Sequence, residues 1–314
     1  MGMPPLISVI IPTYNRALYL ADAIGSVFRQ SFTDYEIVVV DDGSTDDSKK
    51  IIAPYLDRLR YVYQENMGEA AARNRGIREA RGKWVAFLDS DDMWEPRALE
   101  TLVQASGIYP KAGLIAMRGR MIRTNGTRTE RIIGKKSAGP FYSTASLLWG
   151  DGGGVLMPMI RKSIFEKTGV FDETIASATD CDMWLRISFH TQMVCVHEPL
   201  LLCRLHEDNL SGNKALNARM WLRILEKLRD DHPEFLQTNR CAYRRACGKE
   251  SLRLGRELLA GPAEGSGDLR EARRRLFQSI AFFPFFLRAY LYLGWSYIFP
   301  SLYGQWRKWE RKHR

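Results

Sequence analysis

This chain of 314 residues lacks a long unbroken apolar run. Its most aromatic stretch, Leu276 to Tyr303, is interrupted by Pro284, Arg288 and Pro300, whereas a membrane-spanning helix needs about 20 consecutive apolar residues. Cysteine is sparse as well. Cys181, Cys195, Cys203, Cys241 and Cys247 form no Cys-x-x-Cys pair and leave one over, a pattern that fits reduced thiols in a cytoplasm. Met1 to Pro5 has no basic region and the apolar run after it reads as a strand, so no secretory leader is expected. No sustained internal repeat is present. No known nucleic-acid motif accompanies the net charge of +10, so salt-dependent binding to RNA or DNA through arginines alone is a competing reading with little to specify it.

What is present is enough for a full core. With 45% hydrophobic and 26% charged residues, the chain is expected to hold one large domain and an appendage. The first half alternates strand and helix patterns. Leu6 to Ile11 is a short apolar run stopped by Pro12, and Leu18 to Phe28 places Leu20, Ile24, Val27 and Phe28 on one helical face. Glu36 to Val40 predicts the next strand, and Ser44 or Thr45 is placed to cap a helix running to about Leu56. Tyr61 to Tyr63 and Trp84 to Leu88 continue the pattern around an alanine-rich helix from Glu69 to Ala80. Near-continuous apolar strands alternating with helices predict an α/β fold, a parallel sheet covered on both faces, whose ligands sit at the carboxyl ends of the strands.

Those ends carry the chemistry. The run Trp84-Val-Ala-Phe-Leu-Asp-Ser-Asp-Asp92 delivers Asp89 and Asp91 off an apolar strand. Hard cations such as Mg²⁺ or Mn²⁺ take oxygen ligands and are commonly shared with substrate phosphates, so the pair suggests a metal-held diphosphate. An ordinary turn is the local alternative. Tyr14, Asp41 and Asp42 fall at neighbouring strand ends.

Seven segments, in order, resemble the inverting family 2 glycosyltransferases, nucleotide-sugar enzymes of the GT-A fold. They are Val9-Ile-Ile-Pro-Thr-Tyr-Asn15, Val40-Asp-Asp-Gly-Ser-Thr-Asp46, Asn66-Met-Gly-Glu-Ala-Ala-Ala-Arg-Asn-Arg-Gly76, Gly82-Lys-Trp-Val-Ala-Phe-Leu-Asp-Ser-Asp-Asp92, Gly169-Val-Phe-Asp-Glu173, Thr179-Asp-Cys-Asp-Met-Trp-Leu-Arg186 and Arg204-Leu-His-Glu-Asp-Asn-Leu-Ser211. They cover roughly residues 6 to 211. The resemblance implies a Rossmann-like central sheet with helices on both faces in residues 1–212.

The resemblance also implies roles. After Pro12, Tyr14 would stack on the nucleobase, a contact worth about 1 to 3 kcal/mol, or else simply pack. Asp42 would accept from a base N–H, while Asp41 supports the loop or caps a helix. Arg73 would meet phosphate or sugar near a helix start, with Asn74 in support, the alternative being a solvated arginine. Asp91 would hold Mn²⁺ or Mg²⁺, with Asp89 nearer the ribose or bridging through water. His206 is either a further metal ligand or a loop histidine. Asp180 is the implied general base, although Thr179 stands where the family usually has Glu. Helix capping is its local alternative. Asp182 would point elsewhere.

These parts describe transfer of a sugar from a nucleoside diphosphate, UDP by family habit, to an acceptor hydroxyl with inversion. The expected setting is cell-surface polysaccharide or glycolipid synthesis in bacteria. A sugar nucleotidyltransferase shares such a nucleotide site, but Pro12-Thr-Tyr-Asn-Arg16 is not its glycine-rich, lysine-ended loop. A scaffold without activity is opposed by the intact Asp89, Asp91 and Asp180. Sugar and acceptor pockets are expected in Arg118 to Phe141 and Trp149 to Arg161, with Gly150 to Gly154 a mobile loop or a turn.

From about Asn213 the alternation stops. Ala215 to Leu228, Cys241 to Leu259 and Asp268 to Phe282 read as basic helices, with a loop at Gly261 to Gly267. Aromatics dense around Phe282 to Phe299, and the tail Trp306 to Arg314 with basic residues beside two tryptophans, suit an anionic lipid surface. The expectation is a peripheral anchor at the inner face of the cell membrane that reaches a lipid-linked acceptor. Packing on the catalytic domain or on a second protomer is the alternative.

Overall fold

The computed structural model describes residues 3–134, 139–149, 154–206, 213–260 and 266–298. The chain divides into two compact units, Met1–Ile175 with Thr179–Glu207 and Ala176–Ala178 with Asp208–Arg314.

The first unit begins β1 (Ile7–Thr13), α1 (Ala17–Phe28), β2 (Tyr35–Asp42), α2 (Ser48–Ile52), β3 (Arg60–Gln64), α3 (Glu69–Glu79) and β4 (Trp84–Phe87). It continues β5 (Met93–Trp94), α4 (Ala98–Ile108), β6 (Ala112–Ile122), β7 (Arg128–Ile133), β8 (Phe141–Tyr142) and α5 (Thr144–Trp149). β9 (Leu156–Arg161), α6 (Phe165–Thr168), α7 (Thr179–Ser188) and β10 (Gln192–Arg204) complete it. The sheet order is β3-β2-β1-β4-β9-β6-β10-β5, with β7 added to β6 and β8 to β10.

The pairs among β1, β2, β3 and β4 are parallel, as the alternating pattern predicts. The sheet as a whole is mixed, which corrects the all-parallel expectation: β9 runs antiparallel to both β4 and β6. An apolar run such as Leu156 to Ile160 is equally suited to either direction, so its composition does not encode the reversal.

Pro12 does not end β1. The strand runs on to Thr13, with Pro12 opposite Val40 of β2. On the other edge the Ile10 carbonyl accepts from Leu88 N at 3.0 Å, and the next donor on that edge would be residue 12, which as proline has none. Pairing with β4 stops there, and the chain carrying Asp89 and Asp91 leaves the ladder.

The two faces of the sheet are covered by different helices. Val9, Ile11, Ala86, Leu88, Ile115 and Met117 share one buried cluster with Leu20, Ala23, Ile24 and Val27 of α1 and Leu99 and Leu102 of α4. Ala72 of α3 packs on Val38 and Val40 of the opposite face. On that face a Cβ at Gly76 would lie 2.3 Å from Ile10 Cγ2, so α3 can approach β1 only with glycine there. Phe87 meets Phe171 edge-on at 5.5 Å, and Phe171 meets Trp184 of α7 at 6.0 Å. Helices α3 and α7 therefore lie on one side of the sheet. Truncating one fully buried side chain such as Ile24 would cost about 2 to 5 kcal/mol.

The second unit is helical: α8 (Lys214–Asp231), α9 (Pro233–Ala260), α10 (Ser266–Phe282) and α11 (Leu287–Ile298). Asn213 caps α8, its Oδ1 accepting from Leu216 N at 3.0 Å. Helix α9 is kinked at Asn239. Pro284 lies between α10 and α11, where a helix could not continue. Helix α11 is apolar on both sides. Ala289 and Ser296 are fully buried, while Leu287, Tyr290, Leu291 and Ile298, at helical spacing, are exposed. Phe285 before it is 80% exposed and Leu287 77%. No helix among the described residues is long and apolar enough to cross a membrane. The tail from Trp306 to Arg314, residues 150–153 of the glycine-rich segment and residues 261–265 of the expected loop lie outside the described residues.

Candidate active site

The loops after β1 and β2 are tied together by Asn15, whose backbone is left-handed at φ 50°. Its Oδ1 accepts from Thr45 N at 2.8 Å and Asp46 N at 3.3 Å, and its own N–H donates to Ser44 Oγ at 3.0 Å. Ser44 and Thr45 therefore brace the first loop and do not cap α2. Asp47 holds the cap position, without a side-chain hydrogen bond. Beside this brace Tyr14 is 46% exposed, with its ring open to a stacking partner.

Asp41 and Asp42 end β2 with different partners. Asp41 accepts from Ser44 N and from the Tyr61 hydroxyl, both at 2.8 Å, the loop support expected of it. Burial, and then the Asp41 carboxylate, push the Tyr61 hydroxyl well above its usual range. Asp42 accepts from Gln64 Nε2 at 2.7 Å, Met67 N at 3.0 Å and Gly68 N at 2.8 Å, which fixes the turn leading into α3. A carboxylate offers about four acceptor positions, so one remains on Oδ2.

Gly68, at φ 92°, starts α3 in a conformation that favours glycine. One turn on, Arg73 is not the solvated arginine of a surface helix. Its side chain is 6% exposed and its Nη2 lies 2.7 Å from Glu69 Oε1 and 3.0 Å from Asp89 Oδ1. Its Nη1 donates to Thr179 Oγ1 at 3.4 Å. Asn74 supports a second loop: its Nδ2 donates to Phe171 O at 2.9 Å and Glu173 Oε1 at 2.7 Å, and its Oδ1 accepts from Phe171 N at 2.9 Å.

The acidic run after β4 is crowded. Burial pushes the Asp89 carboxyl up to about 7 against the pull of Arg73, with Glu69 and Asp91 adding to the rise. Asp92 is raised well above its usual range by burial and by the charges of Asp89 and Asp91. Its Oδ1 accepts from Arg204 N at 2.9 Å. Asp91 faces the other way: its Oδ2 lies 2.9 Å from His206 Nε2 and 3.4 Å from Arg16 Nε. Strand β5 brings these groups together by pairing antiparallel with Leu201 and Leu202, just before Arg204 and His206. Tyr19 of α1 stacks on the His206 ring at 5.2 Å.

Asp180 lies in the first turn of α7, half-buried. Its carboxylate makes no hydrogen bond or ion pair among the described residues, so it does not cap the helix. It is near enough to Arg73 to help raise that arginine's pKa, after Glu69 and Asp89. Asp182 points into structure, paired with Arg186 Nη2 at 2.8 Å, while Arg186 also donates to Val170 O.

The fold thus assembles two clusters. Arg73, Asp89, Glu69, Thr179 and Asp180 form one, and Asp91, His206 and Arg16 the other, with the single residue Ser90 between Asp89 and Asp91. Among the described residues no three His, Cys, Asp or Glu side chains converge on one point. The donor chemistry nevertheless suits Mn²⁺ or Mg²⁺. Asp91 supplies a carboxylate oxygen 2.9 Å from Nε2 of the His206 imidazole, so both groups face one space. Such cations complete their coordination with phosphate oxygens and water.

Sequence reasoning passed over Arg16, Asp22, Glu69, Asp92 and the role of Arg204. Arg204 donates from Nε to Asp91 O at 3.1 Å and from Nη2 to Asp22 Oδ2 at 2.8 Å. The only signal was the Arg204-Leu-His206 spacing, which puts both side chains on one side of a strand end.

Acidic and basic groups are thus gathered at the carboxyl ends of β1, β2 and β4 of a mixed sheet with helices on both faces. Residues 8–168 match the model of glycosyl transferase family 2. An uncharacterized glycosyltransferase of Rickettsia prowazekii is 31% identical over 237 residues, 71% of this chain and 73% of that protein. Among solved structures, S. aureus TarS 1–349 in complex with UDP-GlcNAc superposes with a TM-score of 0.62 at 17% identity, over 96% of this chain and 91% of that one. The mannosyltransferase PcManGT of Pyrobaculum calidifontis, in complex with GDP-Man and Mn²⁺, gives 0.58 at 19% identity, over 97% and 88%. The chain belongs to glycosyl transferase family 2.

Proposed function

We propose that this glycosyltransferase moves a hexosyl group from a UDP-sugar to an acceptor hydroxyl in a single displacement that inverts the anomeric centre. The observation that carries the reading is Asp180, a carboxylate with no protein partner among the described residues, on the same side of the sheet as Arg73 and its partner Asp89. It takes the proton of the acceptor hydroxyl as that oxygen attacks the anomeric carbon. Tyr14 stacks on the base beyond Pro12, and Asp42 accepts a base N–H at its remaining position. Arg73 serves the donor by its charge and by holding Asp89 toward it.

Asp91 and His206, with Asp89 nearby, would hold Mn²⁺ or Mg²⁺. When bound, that ion neutralises charge developing on the departing nucleoside diphosphate. TarS bound to UDP-GlcNAc and PcManGT bound to GDP-Man and Mn²⁺ support a nucleotide-sugar donor and a divalent ion. UDP is preferred to GDP by family habit. Calorimetry with UDP, GDP and dTDP, with and without Mn²⁺, tests this. Tight Mn²⁺-dependent binding of UDP is expected, and binding of none of the three would overturn the reading.

We also propose that the second unit lies on an anionic membrane, where it meets a lipid-linked acceptor of bacterial surface polysaccharide or glycolipid synthesis. The outward stripe of α11 supports this, because Leu287, Tyr290, Leu291 and Ile298 are exposed beside Arg288 while exposed Arg270 and Arg274 stand on α10. Apolar rings flanked by guanidinium groups suit the headgroup region of acidic lipids. Co-sedimentation with vesicles containing phosphatidylglycerol should fall when Leu287 and Leu291 are replaced by Glu. Unchanged sedimentation of that variant would remove the anchor.

A further inference from the structure

Arg118 is a charged group that the reading above leaves unused. It sits on β6, and its Nε is buried with no hydrogen-bond partner. Among the described residues no hydrogen bond or ion pair involves its guanidinium. Neighbouring arginines differ: Arg120 donates to Thr129 O at 3.0 Å, and Arg128 pairs with Glu95 at 2.8 Å. Enclosing an arginine stem without giving its head a partner is costly, because the buried N–H has lost its water.

Strand register places it at the site. Met117 is opposite Leu156 of β9, and β9 lies between β6 and β4, where Ala86 faces Met159. Following those pairings, residue 118 stands level with the point where the chain leaves β4 at Asp89, two strands away, or about 10 Å across the sheet. The pleat sets its direction. Ile115 and Met117 face the cluster under α1 and α4, so Leu114, Ala116 and Arg118 face the other side, which carries α3 and α7. Arg118 therefore shares a face of the sheet with Asp180 and Arg73, displaced from the donor carboxylates toward β6.

We infer that Arg118 is a specificity residue that binds an oxyanion of the acceptor, a carboxylate or a phosphate. This rests on the proposed transferase reading and names its acceptor class. The donor diphosphate has its own partners in the Asp89 and Asp91 clusters, two strands away. A planar guanidinium with free N–H donors matches a carboxylate or phosphate bidentately. A neutral hydroxyl would leave the charge uncompensated. An acidic acceptor, either a uronate-terminated glycan or one carrying a phosphodiester, supplies the missing partner.

The test uses the full-length protein with UDP and Mn²⁺ and an array of glycans in matched pairs. Glucuronate-terminated chains are set against glucose-terminated ones, and glycerol-phosphate-bearing chains against glycerol-bearing ones. The wild type should retain one or both acidic members at least about tenfold more tightly than their neutral partners, and the pair that responds tells carboxylate from phosphate. Arg118→Gln should abolish the preference, Arg118→Lys should keep part of it, and both should bind UDP as the wild type does in calorimetry. No acidic preference in the wild type, or a preference that survives Arg118→Gln, would overturn the inference. So would weaker UDP binding by a folded Arg118→Gln, which would move the guanidinium to the donor. Failure of the wild type to bind any nucleotide would instead defeat the transferase reading itself.

Discussion

Arg73 Nη2 stands 3.0 Å from Asp89 Oδ1 while the same guanidinium holds Glu69 at 2.7 Å, so one buried cation links the first turn of α3 to the acidic end of β4. Arg73 is 6% exposed but Glu69 and Asp89 are 36% and 28% exposed, so water recovers part of the loss when the cation is removed and the cost is about 1 to 3 kcal/mol. Arg73→Ala should lower the denaturation midpoint accordingly in urea titrations. Arg78→Ala, exposed on the same helix, should change the stability by less than about 0.5 kcal/mol.

Asp180→Asn tests the base. The amide keeps the size of the side chain and cannot accept the acceptor proton. Transfer should fall about 100- to 10,000-fold, with calorimetric binding of UDP unchanged. Transfer at the wild-type rate would show that another group takes the proton.

Asp91→Ala removes the carboxylate that His206 and Arg16 share. Divalent-dependent donor binding should disappear. His206→Ala should weaken it by a smaller factor, since the carboxylate remains. Titration of UDP against each variant with Mn²⁺ and with chelator separates the two effects.

The Asp89 carboxyl, held up at about 7 chiefly by burial, makes the ligand-free protein sensitive to pH. Its folded-state pKa exceeds the ordinary carboxylate value of about 4, so the native state binds the proton more tightly than the unfolded chain does. The stability this contributes is complete below about pH 4 and is lost as pH rises through 7. Thermal unfolding in the absence of nucleotide and metal should show a falling Tm between about pH 4 and pH 7. Asp89→Asn should flatten that slope, and an unchanged slope would assign it to other groups.

Much of the architecture was legible in the order of residues. Apolar runs alternating with helical spacing located β1 to β4, α1 and α3 within a residue or two, because burial on both faces of a sheet leaves few polar positions in a strand. Strand ends were legible too, since Tyr14, Asp42 and Asp89 follow or close those runs. The direction of β9 was not. An apolar strand reads the same either way, and β9 is reversed because it enters beside the carboxyl end of β6. Nor did proline mark the end of β1, because the N–H that Pro12 lacks would serve only the β4 edge, while the ladder with β2 runs on to Thr13.

What the sequence by itself determined is the parallel quartet, the placing of carboxylates at its carboxyl edge and the helical second unit. These follow from periodicity and from local backbone preference. Partnership was decided by the tertiary structure alone. Arg73 pairs with Asp89, His206 lies on Asp91 and Arg118 has no partner among the described residues. Each of these depends on which distant segments the sheet brings within about 3 Å, the range in which a hydrogen bond forms, and no local pattern carries that distance.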